Sequence, residues 1–166
     1  MDSVVIFCAK YLIIGVLLIA GYVWLSTKGP KRTEMALAII SAGVLAAILT
    51  KLAGKLYFHP RPFVTGNIKP LIAHGADNGF PSEHTVLATT LATIIYFYRR
   101  WLGLTALVIG LLIGWARVAA HVHSVVDILG GLAIGLAAGS LGYLAAYRLM
   151  ATKDVNNPTS IKEPKP

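Results

Sequence analysis

The residues best suited to chemistry lie inside an apolar stretch, WARVAAHVHSVVDILGG, which covers residues 115–131. It contains Arg117, His121, His123 and Asp127. His123 and Asp127 share one face of a helix, where the carboxylate can hold one imidazole N–H and fix the tautomer. The other ring nitrogen is then basic and suited to nucleophilic attack. Arg117, across the helix junction, can bind phosphate oxygens through two parallel hydrogen bonds.

Two further polar clusters precede this stretch. In chain order, KLYFHPRP and PSEH supply Lys55, Arg61, Pro62, Ser82, Glu83 and His84. The second cluster begins a predicted helix, whose N-terminal N–H groups and dipole favour an anion. Converging Lys, Arg and His side chains indicate phosphate, and His84 is suited to protonate a leaving oxygen. The sequence therefore predicts a phosphoryl-transfer site that uses no metal ion.

The composition predicts that these clusters lie in a membrane protein. Of the 166 residues, 56% are hydrophobic and only 13% are charged, whereas about a quarter of a soluble domain is charged. The net charge of +8 then suits anionic headgroups, a phosphate substrate or topology signals better than nucleic acid. The one cysteine, Cys8, excludes an internal disulfide within this sequence.

We expect an all-α, polytopic bundle of about five transmembrane helices. The spans are predicted at residues 4–25, 35–52, 82–98, 102–119 and 124–147, with an irregular segment at 54–85. Residues 1–150 form the predicted membrane domain, and 151–166 form a polar tail that we expect to be disordered. Gly131, Gly135 and Gly139 recur at four-residue spacing and are expected to pack within the monomer rather than between subunits.

The distribution of lysine and arginine predicts the topology. The turns after the first and third spans, together with the tail, carry the larger share of these residues. By the positive-inside rule that side is cytoplasmic, so the C-terminus is cytoplasmic. All three polar clusters then lie at the extracytoplasmic surface of a cell (inner) membrane, and nothing comparable is expected at the opposite surface.

The three clusters together resemble the signature motifs of the type 2 phosphatidic acid phosphatase (lipid phosphate phosphatase) superfamily. Its pattern is Lys-x6-Arg-Pro, then Pro-Ser-Gly-His, then Ser-Arg-x5-His-x3-Asp. The resemblance implies that His123 forms a phosphohistidine, that Asp127 orients it and that His84 is the general acid. It further implies that no metal or other cofactor is needed. The implied phosphate-binding residues are Lys55, Arg61, Ser82 and Arg117.

The sequence departs from this pattern at three positions. Lys55 stands one residue closer to Arg61, Glu83 replaces the glycine, and Ala116 replaces the serine. The acidic second motif resembles the bacterial undecaprenyl-diphosphate phosphatase branch. That branch implies cleavage of undecaprenyl diphosphate to the monophosphate, in recycling of the cell-wall carrier lipid. Glu83 and Pro62 are candidate headgroup contacts.

Other readings remain open at this point. The substrate could instead be phosphatidylglycerophosphate, phosphatidic acid or lipid A 1-phosphate. A metal-dependent hydrolase would use His121, His123 and Asp127 as ligands, although the two histidines point to different faces of a continuous helix. A non-enzymic transporter would line a path with the same charges. The expected partners are a membrane lipid and the bilayer, not nucleic acid, and the sequence leaves the oligomeric state undetermined.

Several further polar residues are expected to have structural or surface roles. We expect loop, turn or structural positions for His59, His74, Asp77, Asn78 and His121, and contact with lipid headgroups or solvent for Lys51 and Lys69.

Overall fold

The computed structural model describes residues 1–155, and that part of the chain is helical with no β-strand. Its helices are α1 (Asp2–Ser26), α2 (Pro30–Leu56), α3 (Pro62–Thr65), α4 (Glu83–Tyr98), α5 (Arg100–Ala119) and α6 (Val125–Val155). The predicted all-α membrane bundle is thus confirmed. α6 runs past residue 150, where the tail was predicted to begin, and the rest of that tail, 156–166, lies outside the described residues.

Four of the five predicted spans are long and apolar enough to cross a membrane, namely α1, α2, α5 and α6. The remaining one, α4, has 16 residues, whereas a spanning helix needs about 20. Ten of the residues of α4 are nevertheless buried, and it packs against α1, α2, α5 and α6. It is therefore the central helix of the bundle.

α2 begins earlier than residue 35, where the sequence predicted it. Pro30 takes the first helical position, where its missing N–H costs no hydrogen bond. Gly29 precedes it with a φ of 61°, a conformation that a residue without a β-carbon adopts readily.

The spaced glycines of α6 pack against α4. A β-carbon added at these glycines would lie 2.6–2.9 Å from threonine Cβ atoms of α4. The facing pairs are Gly131 with Thr85, Gly135 with Thr89, and Gly139 with Thr93. The predicted packing of these glycines within the monomer is confirmed, and it fixes α6 against the helix that carries the PSEH motif.

The start of α6 is fixed by a reciprocal pair of hydrogen bonds. The Ser124 backbone N–H donates to Asp127 Oδ2 at 2.7 Å, and the Asp127 N–H donates to Ser124 Oγ at 3.3 Å. This arrangement is a capping box, which satisfies two helix N–H groups that otherwise lack partners. The carboxylate of Asp127 is thereby held at the helix N-terminus.

The expectation that only one end of the bundle carries a polar cluster is wrong. A cavity of about 370 Å³ lies at the other end, where the Tyr98 hydroxyl donates to Glu34 Oε1 at 2.8 Å. Its other polar lining residues are Ser26, Thr27, Lys28, Lys31, Arg99 and Tyr143. The residues that line this cavity lie at 26–34, 97–99 and 143, so only the folded bundle brings them together.

Candidate active site

A cavity of about 360 Å³ opens where α2 ends, α4 begins and α5 ends. Its charged and titratable lining residues are Lys51, Lys55, Arg61, His74, Asp77, Glu83, His84, Arg117 and His123. Each of the three predicted clusters contributes to this set. The predicted site residues therefore converge on one cavity, with the exceptions described below.

The hydrogen-bond partners of the two ring nitrogens of His123 require the same tautomer. Its Nδ1 lies 2.9 Å from the backbone oxygen of Gly79, which can only accept a hydrogen bond. Its Nε2 lies 3.3 Å from Nη1 of Arg61, which can only donate. Nδ1 therefore carries the proton, and Nε2 presents its lone pair beside a guanidinium.

Asp127 is fully buried behind His123. Its Oδ2 lies 3.4 Å from His123 Nδ1, which is longer than the contact of that nitrogen with Gly79. Its Oδ1 accepts a hydrogen bond from Nδ1 of His59 at 2.9 Å. The carboxylate thus supports the imidazole electrostatically, while the carbonyl of Gly79 is the nearer acceptor.

The guanidinium of Arg61 is buried and held on three sides. Nε donates to Asp77 Oδ1 at 2.7 Å, Nη1 to the backbone oxygen of Val122 at 2.8 Å, and Nη2 to that of Asn78 at 3.3 Å. These contacts leave little rotational freedom in a long side chain. Arg61 is therefore fixed beside His123 before any ligand binds.

Arg117 is also buried, but its hydrogen bonds are fewer. Nη2 donates to Nε2 of His74 at 3.1 Å, and Nη1 donates to the backbone oxygen of Ala9 at 3.4 Å. Its Nε has no hydrogen-bond partner among the described residues. A buried donor without a partner is costly, and an anion bound in the cavity would be a suitable acceptor.

The remaining predicted site residues fall into two groups. Lys55, Glu83 and His84 line the cavity. Ser82 does not line it. Its fully buried hydroxyl accepts a hydrogen bond from Thr85 at 3.2 Å, and its backbone N–H donates to the backbone oxygen of Asp127. Pro62 begins α3 and is likewise absent from the lining.

The electrostatics of the cavity favour the neutral forms of His123 and His74. Burial lowers the pKa of His123 below its ordinary value, and Arg117 and Arg61 act in the same direction, while Asp127 opposes them. Burial also lowers the pKa of His74, as do the two arginines. In contrast, the hydrogen bond from Arg61 lowers the pKa of Asp77, which keeps that carboxylate ionised.

Three residues of the site were not predicted as such from the sequence. His59 contacts Asp127, His74 contacts Arg117, and Asp77 contacts Arg61. All three lie in the irregular segment, where no helical or strand periodicity relates the spacing of residues in the sequence to the direction of their side chains. The one available signal was composition, since this segment holds three of the five histidines. Asn78 fulfils its expected turn role by bonding to the backbone of Gly54, Tyr57, His59 and Phe80.

The three residues that a metal-dependent hydrolase would use as ligands, His121, His123 and Asp127, do not form a metal site. His121 has a φ of 62° and does not line the cavity. Within residues 1–155, no three His, Cys, Asp or Glu side chains are arranged to hold a metal ion. The geometry instead places one nucleophilic nitrogen among cationic side chains.

Comparisons with known proteins agree with this geometry. Residues 33–151 match the PAP2 superfamily. The chain is 34% identical to undecaprenyl-diphosphatase BcrC of Bacillus subtilis, covering 85% of this chain and 72% of the relative. It is 31% identical to a protein named bacitracin transport permease protein BcrC of Bacillus licheniformis, covering 90% and 73%.

Among solved structures, the fold is similar to a transmembrane PAP2 type phosphatidylglycerolphosphate phosphatase from Bacillus subtilis. The TM-score is 0.61 at 22% identity, covering 89% of this chain and 77% of that one. At this identity the likeness concerns the fold alone.

Proposed function

The chain belongs to the PAP2 superfamily, and from that membership we propose that it is a membrane phosphatase that converts undecaprenyl diphosphate to undecaprenyl phosphate. The name of the Bacillus subtilis relative supports this substrate. Phosphatidylglycerophosphate is the alternative suggested by the name of the structural neighbour. Phosphatidic acid and lipid A 1-phosphate are further alternatives for the same chemistry.

The observation that carries the proposal is the position of His123 Nε2. Its lone pair lies 3.3 Å from Nη1 of Arg61, in a cavity that Arg117 and His84 also line. Attack by Nε2 requires Arg61 to exchange this hydrogen bond for one to a phosphate oxygen. A nucleophile for phosphorus needs an unprotonated electron pair together with cations that bind the equatorial oxygens. This arrangement supplies both.

In the proposed reaction, Nε2 of His123 attacks the terminal phosphorus. The bond from that phosphorus to the bridging oxygen breaks, and His84 donates a proton to the departing oxygen of the lipid monophosphate. Water then attacks the phosphohistidine, and His84 takes up a proton from it. The N–P bond breaks, inorganic phosphate leaves and neutral His123 is restored.

The other predicted catalytic and phosphate-binding residues each have a role in this scheme. Arg61 and Arg117 bind the oxygens of the transferred phosphate, and Lys55 adds positive charge at the cavity edge. Asp127 positions His123 and stabilises the cation that forms on its ring. Ser82 stays a predicted phosphate ligand, although its hydroxyl would need to turn away from Thr85.

The same proposal includes the orientation in the membrane. The active cavity faces the extracytoplasmic side of the cell membrane, and the C-terminus is cytoplasmic. The cationic cavity at the other end of the bundle, with Lys28, Lys31 and Arg99, supports this orientation. Residues 1–150 form the catalytic membrane domain.

Phosphate release by purified protein tests the function. Wild type is expected to release phosphate from undecaprenyl diphosphate with EDTA present, and His123→Ala is expected to lose at least a thousandfold in kcat, roughly the effect of removing a catalytic nucleophile. The matched control is His121→Asn, because His121 lies outside the cavity and asparagine tolerates its positive φ.

Unchanged turnover by His123→Ala would remove this mechanism. Loss of wild-type activity in EDTA, with recovery on adding zinc, would favour the metal-dependent reading. A panel containing phosphatidylglycerophosphate, phosphatidic acid and lipid A 1-phosphate ranks the substrates.

Transport is the second candidate function, because one relative carries the name of a transport permease. Flux of a labelled lipid phosphate or of bacitracin in proteoliposomes, without phosphate release, would support it.

A further inference from the structure

A second cavity adjoins the active cavity and is apolar. It has a volume of about 270 Å³ and lies between α2 and α4. The two cavities share Thr50, Lys51 and Glu83. Beyond that junction, the groove is lined by Gly43, Ala46, Ala47, Val86, Leu87 and Thr90. It therefore leads from the polar site along the bundle toward the hydrocarbon of the bilayer.

A lipid diphosphate has three parts that this pair of cavities must accommodate in order. The terminal phosphate lies at His123, and the hydrocarbon chain suits the apolar groove between α2 and α4. The phosphate that stays with the lipid must lie between them, at the junction. Lys51 is the cation at that position.

We propose that Lys51 binds the phosphate that remains with the lipid, and that this contact makes the site prefer lipid diphosphates to lipid monophosphates. The inference rests on the proposed phosphatase function and adds a specificity residue to it. No motif position of the superfamily pattern falls on residue 51, which precedes the predicted phosphate ligand Lys55 by one helical turn.

The other cations of the site are less suited to this role. Arg61 is held by Asp77, Val122 and Asn78 next to His123. Arg117 donates to His74 and Ala9. Lys55 lines the active cavity but not the apolar groove. Lys51 is exposed and has no ion-pair partner among the described residues.

Glu83 gives a reason why a cation is needed at the junction. Glu83 lines both cavities, and its carboxylate would repel a second phosphate that approached it unaided. An ammonium group from Lys51 offsets that repulsion and donates hydrogen bonds to the phosphate oxygens. A monophosphate, whose one phosphate lies at His123, does not use this contact.

The experiment compares two substrates that share one chain, farnesyl diphosphate and farnesyl monophosphate. Lys51→Met keeps the length and removes the charge. We expect its kcat/KM for the diphosphate to fall roughly 10- to 100-fold, the usual effect of losing a charge-assisted hydrogen bond. Turnover of the monophosphate is expected to stay within about twofold by the same reasoning, and Lys51→Arg is expected to retain most of the diphosphate activity.

The matched control is Lys69→Met, since Lys69 is an exposed lysine of the irregular segment that lies outside both cavities. If Lys51→Met impairs both substrates equally, or neither, the proposal for Lys51 is wrong. Wild type that releases no phosphate from any lipid diphosphate would instead refute the proposed function. If wild type turns over the diphosphate only, the affinity of His123→Ala for the two ligands is measured with and without Lys51→Met. A loss of affinity for the diphosphate alone supports the proposal. An equal loss for both ligands, or no loss for either, shows that it is wrong.

Discussion

At the scale of single residues, His123 lies between two groups whose hydrogen-bonding roles are chemically fixed. The carbonyl of Gly79 accepts and the guanidinium of Arg61 donates, so the reactive tautomer exists before substrate arrives. The pairing of His123 with Asp127 was predictable, because a four-residue spacing indicates a shared helix face. The part played by Gly79 was not, because a backbone carbonyl has no side-chain signature in the sequence.

We expect His123 to stay neutral, and therefore reactive, to a lower pH than an ordinary histidine. Burial lowers its pKa, and Arg117 and Arg61 lower it further. Since the neutral form is the nucleophile, reactivity should rise with pH through a midpoint below 6.5 and then level off. The rate of inactivation by diethyl pyrocarbonate, measured against pH, reports this midpoint without interference from the titration of the substrate.

Mass spectrometry of the modified protein identifies which histidine has reacted, with His123→Ala as the reference. A midpoint at or above 6.5 for His123 would contradict the prediction.

At the scale of helices, the contact between α4 and α6 determines where the catalytic groups lie. α4 carries Glu83 and His84, α6 begins beside His123, and the glycines of α6 allow the two backbones to approach closely. Glycine spacing revealed one side of this contact in the sequence. The threonines of α4 were not identified as the other side, because the spacing of residues along one helix does not indicate which other helix they face.

We expect Gly135→Ala to destabilise the bundle. The added methyl group would lie 2.6 Å from Thr89 Cβ and 2.9 Å from the backbone oxygen of Val86, so the helices must move apart. Overpacking of this kind costs about 1–3 kcal/mol in free energy of unfolding. Unfolding by denaturing detergent, with phosphate release measured in parallel, checks both stability and the position of the site.

Gly15→Ala in α1 is the matched control, because no atom of another helix lies within 4 Å of the added methyl group. Equal stability of the two variants would show that the α4–α6 contact tolerates separation.

At the scale of the whole molecule, the bundle has a polar cavity at each end. The sequence predicted the location of the active end, because the three motifs flank helix termini on one side. It did not predict the other cavity, because Glu34, Tyr98 and Tyr143 lie on different helices and show no shared spacing. A count of charged residues along the chain shows neither how deeply each residue is buried nor which of them lie close together in the fold.

The proposed orientation predicts which end meets the outside of the cell. Cys8 is the one native cysteine, so a Cys8→Ser background allows single cysteines to be introduced at Lys69 and Lys28, which are both exposed. A membrane-impermeant maleimide added to intact cells should label Lys69→Cys, near the active end, and not Lys28→Cys. Labelling of both positions after the membrane is permeabilised is the control, and the reverse pattern in intact cells would invert the topology.

The shortness of α4 has a consequence for how a lipid reaches the reaction centre. Its 16 residues extend about 24 Å, against roughly 30 Å of hydrocarbon in a typical bilayer. The helices that pack around α4 have 20–31 residues and are therefore longer than it. A short helix among longer ones leaves a recess at its end, and the active cavity lies where α4 begins. A headgroup reaches His123 by entering that recess.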